Sequence, residues 1–274
     1  EIKRPGIELA GFWEHFVSER VQLLGKTELS FINELSKSTR EQRIKTFMSY
    51  DLKCIIIARD LDLPEIIIQE AAKNDIPLLK TAVTTTRFLS KLTTFLERSL
   101  APEQVIHGVL VDIYGVGVLL KGESGIGKSE TAIELVKRGH RLVADDIINI
   151  KKIGEGELIG YAPEKSRYFL ELRGIGIINT RTLFGAGAVK DTSPINIVIT
   201  MEPWMESKEY DRLGLENNYI EFFEVEVPEI VIPVKPGRNL AMVLEVAAMN
   251  YRMKSMGYNA ARDFLNRTKK SNNE

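Results

Sequence analysis

At 274 residues the chain is long enough for about two domains. Its 44% hydrophobic residues can fill ordinary cores, and 27% charged residues is the share of a typical soluble protein. Lys plus Arg (37) nearly balance Asp plus Glu (38), which excludes a whole-chain field drawing it to nucleic acid or an anionic membrane, and no apolar run reaches the ~18–20 residues of a membrane span.

The sequence opens at Glu1 rather than Met, so upstream residues are expected in the natural chain; no signal-peptide pattern is visible. In a first block, residues 1–100, elements become readable from residue 53 onward. The spacing predicts a strand over 53–58, a helix over 63–74 opened by Pro64, a short strand over 77–80 and a helix over 84–100. Phe88, Leu89, Leu92, Phe95 and Leu96 share the buried side of that last helix. Strand–helix–strand–helix implies a small parallel α/β layer. Cys54, the single cysteine, rules out an internal disulfide framework and fits a reducing cytoplasm. With no helix start beside it to lower its pKa, it reads as a structural thiol rather than a nucleophile. Thr84-Thr85-Thr86 reads as a helix N-cap, with a phosphate contact as the alternative. The Ala101-Pro102 step is the expected linker, and 101–274 the second domain.

In that domain, strands over 105–112 and 116–121 flank Tyr114-Gly115, which predicts a β-hairpin. It feeds Gly122-Glu123-Ser124-Gly125-Ile126-Gly127-Lys128-Ser129, a complete phosphate-binding loop pattern. A helix over 130–138 follows, with Ala132, Leu135 and Val136 on one face and Gly139 as its stop. The glycines let backbone N–H groups turn in on phosphate oxygens, Lys128 puts a charge at the β/γ-phosphates, and Ser129 offers its hydroxyl to Mg²⁺. The helix N-terminus adds its partial positive charge. Strand, loop and helix together imply that the chain binds a nucleoside triphosphate.

A strand over 141–144 is expected to end in Asp145-Asp146, carboxylates that beside such a loop hold Mg²⁺ or act as a general base. Glu171-Leu172-Arg173-Gly174-Ile175-Gly176-Ile177-Ile178-Asn179 has two readings. One is a strand and glycine turn with a satisfied salt bridge; the other puts Glu171 near a metal and the glycines where backbone approaches a ligand. Residues 190–194 read as a loop. Pro233-Val234-Lys235-Pro236-Gly237-Arg238 is a stiff turn with two cations, either a bare turn or a flap over anions. Helices are predicted over 240–254 and 259–270, the first so apolar that it belongs in a core or an interface. His140 reads as a partner of the preceding helix dipole, and His15 carries no signal.

These residues, in this order, resemble the HPr kinase/phosphorylase family. The likeness rests on His107-Gly108-Val109-Leu110-Val111-Asp112, the loop 122–129 with Glu130, and Leu142-Val143-Ala144-Asp145-Asp146. It continues through 171–179, Lys208-Glu209-Tyr210-Asp211-Arg212-Leu213-Gly214 and 233–240, while the first block matches in layout and through Ile57-Ala58-Arg59. Lys235 stands where the family often has Arg, and Lys cannot fork onto phosphate.

The resemblance implies a small N-terminal α/β domain and a C-terminal P-loop kinase domain similar to the phosphoenolpyruvate carboxykinase core, ending in two helices. It further implies a cytoplasmic homohexamer that acts on a serine of the phosphocarrier protein HPr and on neither nucleic acid nor membrane. ATP would lie on Gly122, Glu123, Ser124, Gly125, Ile126, Gly127, Lys128 and Ser129, and Mg²⁺ on Ser129 and Glu171. His107, Lys128, Asp146 and Arg212 would be catalytic. Asp146 takes the seryl proton in the kinase direction and returns it when inorganic phosphate attacks phosphoserine to give pyrophosphate, while Arg212 neutralises the transferring group. His107 either orients Asp146 or binds phosphate, and a lone strand His has a purely structural reading besides. A small-molecule kinase or a phosphoenolpyruvate carboxykinase-like enzyme would share the loop and carboxylates, and a non-catalytic nucleotide-dependent module would need neither Asp146 nor Arg212. The His-Arg-Asp and Asp-Phe-Gly of eukaryotic-type protein kinases do not occur, nor does the Asn-Lys-x-Asp of switch GTPases.

Overall fold

Ile55-Ile56-Ile57-Ala58 is apolar without a polar alternate, the mark of a parallel strand covered on both faces. The computed structural model, which describes residues 1–154, 156–211, 214 and 218–271, places it in the first of two units, Glu1–Leu100 and Ala101–Glu274. That unit holds β1 (Ile2–Lys3), α1 (Gly6–Ala10), β2 (Val21–Leu24), α2 (Lys26–Glu34) and α3 (Lys37–Met48). Then come β3 (Ile55–Ala58), α4 (Glu65–Lys73), β4 (Leu78–Thr81) and α5 (Thr85–Ser99). The four strands pair in parallel in the order β1-β2-β3-β4. Alternation sends Ile55 and Ile57 towards Phe47, Met48 and Ile67, and Ile56 and Ala58 to the other core with Phe88, Leu89 and Leu92 of α5. Phe95, expected on the buried side of α5, is instead 63% exposed. The 15-residue helix is about 22 Å long while a four-residue strand spans about 13 Å, so its later turns outrun the sheet. Before residue 53, β1 has only two residues, β2 carries a polar Gln22 in its middle, and α3 is too polar for an apolar face to stand out. Gln22, in the middle of β2, is fully buried, its amide donating to the carbonyls of Arg20 (2.8 Å) and Val17 (3.4 Å).

The second unit opens with β5 (Glu103–Ile113) and β6 (Val116–Gly122), the expected hairpin. Tyr114 (φ 53°) and Gly115 (φ 85°) form its two-residue turn, whose left-handed backbone matches the twist of the paired strands. In α6 (Lys128–Lys137) the last carbonyls are closed as a glycine stop requires: Gly139 (φ 97°) donates to Val136 and His140 to Leu135. β7 (Arg141–Ile153) does not end at the aspartates. It runs on because β5 pairs with it from Arg141 to Lys151, with one irregularity between Leu110 and Val111, and β8 pairs with it from Asn149 to Ile153.

Next in the chain are β8 (Glu157–Tyr161), β9 (Phe169–Leu172), β10 (Gly176–Asn179), α7 (Thr180–Phe184) and β11 (Thr192–Pro194). The last of these, read as loop, is an edge strand against β8. β12 (Ile197–Pro203), β13 (Asn218–Phe222), β14 (Val225–Val234), α8 (Leu240–Ser255) and α9 (Ala260–Ser271) complete the unit. Eight strands form one mixed sheet in the order β11-β8-β7-β5-β6-β12-β14-β13. Val118 and Leu120 face a core shared with α6 and α8, and Leu119 faces a second core with Leu110, Ile148 and Val198. α8 buries Ala241, Leu244 and Ala248, but Val246, counted in its apolar stretch, is 54% exposed. The apolar sequence thus covers more of the helix than one core face can bury. Among the described residues no helix is long and apolar enough to cross a membrane.

Candidate functional site

β6, β12 and β14 run parallel, so their carboxyl ends share one edge of the sheet. There β6 gives way to the glycine loop and α6. Gly122 (φ 143°) admits no other residue, since a Cβ would lie 2.4 Å from the Met201 carbonyl oxygen. Lys128 donates from Nζ to the carbonyls of Gly122 and Glu123, both at 2.9 Å. The ammonium thus spans the loop on neutral acceptors, which phosphate oxygens would replace with stronger charge-assisted bonds.

Asp145 is buried and joins three elements. Ser129 donates its hydroxyl to Oδ1 (2.8 Å) from the first turn of α6, and the Glu171 N–H donates to Oδ2 (3.1 Å) from β9. Burial pushes the carboxyl above its usual range, and those two hydrogen bonds oppose the shift. A regular strand would send the next residue to the opposite face. Asp146 has φ 64°, which breaks the alternation, and both carboxylates line one cleft with Lys128, Ser129 and Glu171. Asp146 is exposed there, its Oδ1 3.5 Å from Nδ1 of His107, itself exposed on the adjoining strand β5.

Glu171 lies in β9 opposite Ile177 of β10, and Gly174 (φ 83°) and Gly176 (φ 98°) carry the turn between them. The satisfied salt bridge read into this segment is not what Arg173 makes. Its Nη2 donates to Ser124 Oγ of the phosphate loop at 3.1 Å. Among the described residues no three His, Cys, Asp or Glu side chains group as a metal cage. The oxygens of Ser129, Asp145 and Glu171 on one cleft nevertheless fit Mg²⁺, which takes one or two carboxylates and completes its shell with phosphates and water.

Other expected positions fall elsewhere. Arg212 lies outside the described residues. Lys235 holds its Nζ 3.2 Å from the centre of the Trp204 ring, and Arg238 donates to the Pro233 carbonyl at 2.7 Å. Both cations are therefore engaged at the end of β14, on the same sheet edge but outside the cleft lining. His140 meets more than a helix dipole: its Nε2 is 2.9 Å from Oε1 of Glu245 in α8. Sequence reasoning read Asp145 only as one of a pair with Asp146, and Arg173 only as half of a salt bridge in the glycine stretch. Adjacency to Asp146 and Glu171 was the available signal, but it does not say which neighbour turns inward.

Two family models match the chain: "HPr Serine kinase N terminus" over residues 1–96 and "HPr Serine kinase C-terminal domain" over 98–268. The HPr kinase/phosphorylase of Caldanaerobacter subterraneus subsp. tengcongensis is 55% identical over 263 residues, 96% of this chain and 86% of that protein. The HPr kinase/phosphorylase of Bacillus subtilis is 53% identical over 267 residues, 97% of this chain and 86% of that one. Among solved structures, the Hpr(Ser) kinase/phosphatase from Coxiella burnetii matches with a TM-score of 0.52 at 33% identity, over 56% of this chain and 99% of its own.

Proposed function

The chain belongs to the HPr serine kinase family, and from that premise we propose that it moves a phosphoryl group between ATP and a serine of HPr. In this reading it also removes the group with inorganic phosphate. The observation that carries the reading is the convergence of Lys128, Ser129, Asp145, Asp146 and Glu171 on one cleft at the end of β6.

The loop and the N-terminus of α6 bind the nucleotide phosphates, with Lys128 exchanging its carbonyl partners for phosphate oxygens. Ser129, Asp145 and Glu171 would hold Mg²⁺, whose charge offsets that of the β- and γ-phosphates when bound. Asp146, exposed and next to His107, accepts the seryl proton as the serine oxygen bonds to the γ-phosphorus and the bond to ADP breaks. In reverse, an oxygen of inorganic phosphate bonds to the phosphoserine phosphorus. The serine oxygen leaves with the proton that Asp146 returns, and pyrophosphate forms. One carboxylate serves both reactions because in each the phosphoryl group crosses between the serine oxygen and a phosphate oxygen, and the serine proton must be taken up in the first and returned in the second.

The finer fold reading, a P-loop kinase unit similar to the phosphoenolpyruvate carboxykinase core, is supported by the strand–loop–helix setting of residues 122–129. Homohexamer assembly and a cytoplasmic location complete the proposal, the second in keeping with the single unpaired thiol of Cys54. Mass spectrometry of HPr after incubation with ATP and Mg²⁺, then with phosphate, tests it. A gain of one phosphate on a serine followed by its loss with pyrophosphate release is expected. HPr unchanged in both incubations would overturn the assignment.

A further inference from the structure

We propose that Arg173 is an arginine finger acting in cis, which stabilises the charge on the phosphoryl group in transit. The inference rests on the reading above for the identity of the acceptor.

Arg173 follows β9 at the turn of the β9–β10 hairpin and reaches across to the phosphate loop, donating to Ser124 Oγ. Its guanidinium lies against Gly125, where a Cβ would come within 2.6 Å of Nη1. The missing side chain at Gly125 (φ 85°) is therefore what lets a cation rest on the loop. Glu130, Asp145, Asp146 and Glu171 line the same cleft, and the described cations there are Lys128 and Arg173. A bound polyphosphate adds further negative charge to a wall that is already acidic.

The two cations differ in what holds them. Lys128 opens α6 and spans the loop on two carbonyls, placed for phosphates that stay with the nucleotide. Arg173 sits on a hairpin and has one hydrogen bond among the described residues, to a neutral hydroxyl. A phosphoryl oxygen is a stronger acceptor than that hydroxyl, so the exchange is favourable when charge builds up. In-line transfer puts the moving phosphorus within reach of the base, Asp146. The hairpin carrying Arg173 is tied to that side of the cleft by the Glu171 N–H on Asp145. A planar fork at that point serves the equatorial oxygens of the group that leaves.

The test uses the full chain with Arg173→Ala and Arg173→Lys. Affinities for Mg-ATP and for Mg-ADP with aluminium fluoride, a mimic of the group in transit, are measured beside single-turnover transfer to HPr. In Arg173→Ala, ATP affinity should change by no more than about threefold while transfer falls about 10²–10³-fold, and the tightening that aluminium fluoride gives the wild type should be lost. Arg173→Lys should recover part of the rate. ATP affinity falling in step with rate would make Arg173 a ground-state anchor and overturn the proposal, as would an undiminished rate. If Arg173→Ala melts early, Arg173→Lys decides: full wild-type transfer and fluoride response would overturn it. Should the wild type leave HPr unmodified, the acceptor is wrong, whereas fluoride-dependent tightening that still requires Arg173 upholds the finger.

Discussion

Asp145 and Asp146 are adjacent in the chain and opposite in environment. The first is buried, with Ser129 and the Glu171 N–H on its two oxygens, and the second is exposed beside His107. Two carboxylates separated in this way divide the work of a phosphoryl-transfer site: the buried one organises, the exposed one exchanges protons with what enters. Asp146→Asn keeps the shape and removes the proton acceptor, so transfer to HPr should fall at least about 10²-fold in single-turnover assays, with ATP affinity changing far less. Activity that survives in Asp146→Asn but vanishes in Asp145→Asn would reverse the two roles. The sequence offers this pair as one motif because neither burial nor φ is written in residue type. The loop 122–129 is readable for the opposite reason: its function needs contiguous residues of fixed type. Arg173 was legible as a cation in a glycine-rich stretch, but its contact with Ser124 spans a separation that no local pattern encodes.

Elements with a local cause were the ones periodicity revealed: the β5–β6 hairpin from its Tyr-Gly turn, and α6 from its buried face and glycine stop. β2, with four residues, and the full extent of β7 depend on neighbouring strands and were missed or cut short. The turn after β14 now has a definite state, with Arg238 held by the Pro233 carbonyl and Lys235 over Trp204. Free phosphate has no adenosine to anchor it, so cations at this edge should matter more for phosphorolysis than for the kinase direction. Arg238→Ala should raise the KM for phosphate and slow phosphoserine removal more than ATP-dependent phosphorylation, both measured on one preparation. Equal losses would assign the turn to folding or to shared HPr docking. A second element-level link joins α8 to the end of α6, where Glu245 meets His140 at 2.9 Å and Arg138 at 3.0 Å. The His140 hydrogen bond, ahead of the Arg138 charge, holds the Glu245 carboxyl below its ordinary value. A lowered carboxyl contributes stability above the unfolded pKa of about 4.3 and loses it as pH falls through the folded value. Glu245→Gln should therefore lower Tm at neutral pH, and the gap to the wild type should close in that acidic window. A gap that stays constant would point to packing rather than charge.

Each hydrophobic core of the molecule is built within one unit. The clusters around Ile55 and Ile56 draw on residues of Glu1–Leu100, and those around Leu119 and Leu120 on residues of Ala101–Glu274. The described site residues, from His107 to Glu171 and Arg173, all lie in the second unit. What the sequence withheld at this scale is strand order: β12, distant in the chain, lies beside β6 and completes the edge on which the loop sits. Such pairings depend on long-range contacts that residue spacing does not record. Because the second unit contains its own sheet, cores and cleft, residues 101–274 expressed alone should fold and catalyse. The expected result is a single cooperative melting transition, nucleotide binding, and transfer to HPr within about tenfold of the intact chain, equivalent to about 1.4 kcal/mol of barrier. A folded fragment that binds ATP but transfers far more slowly would place a substrate-recognition task in the first unit. A fragment that fails to melt cooperatively would instead make the first unit part of the second's stability, and separate cores would then be a poor guide to separate folding.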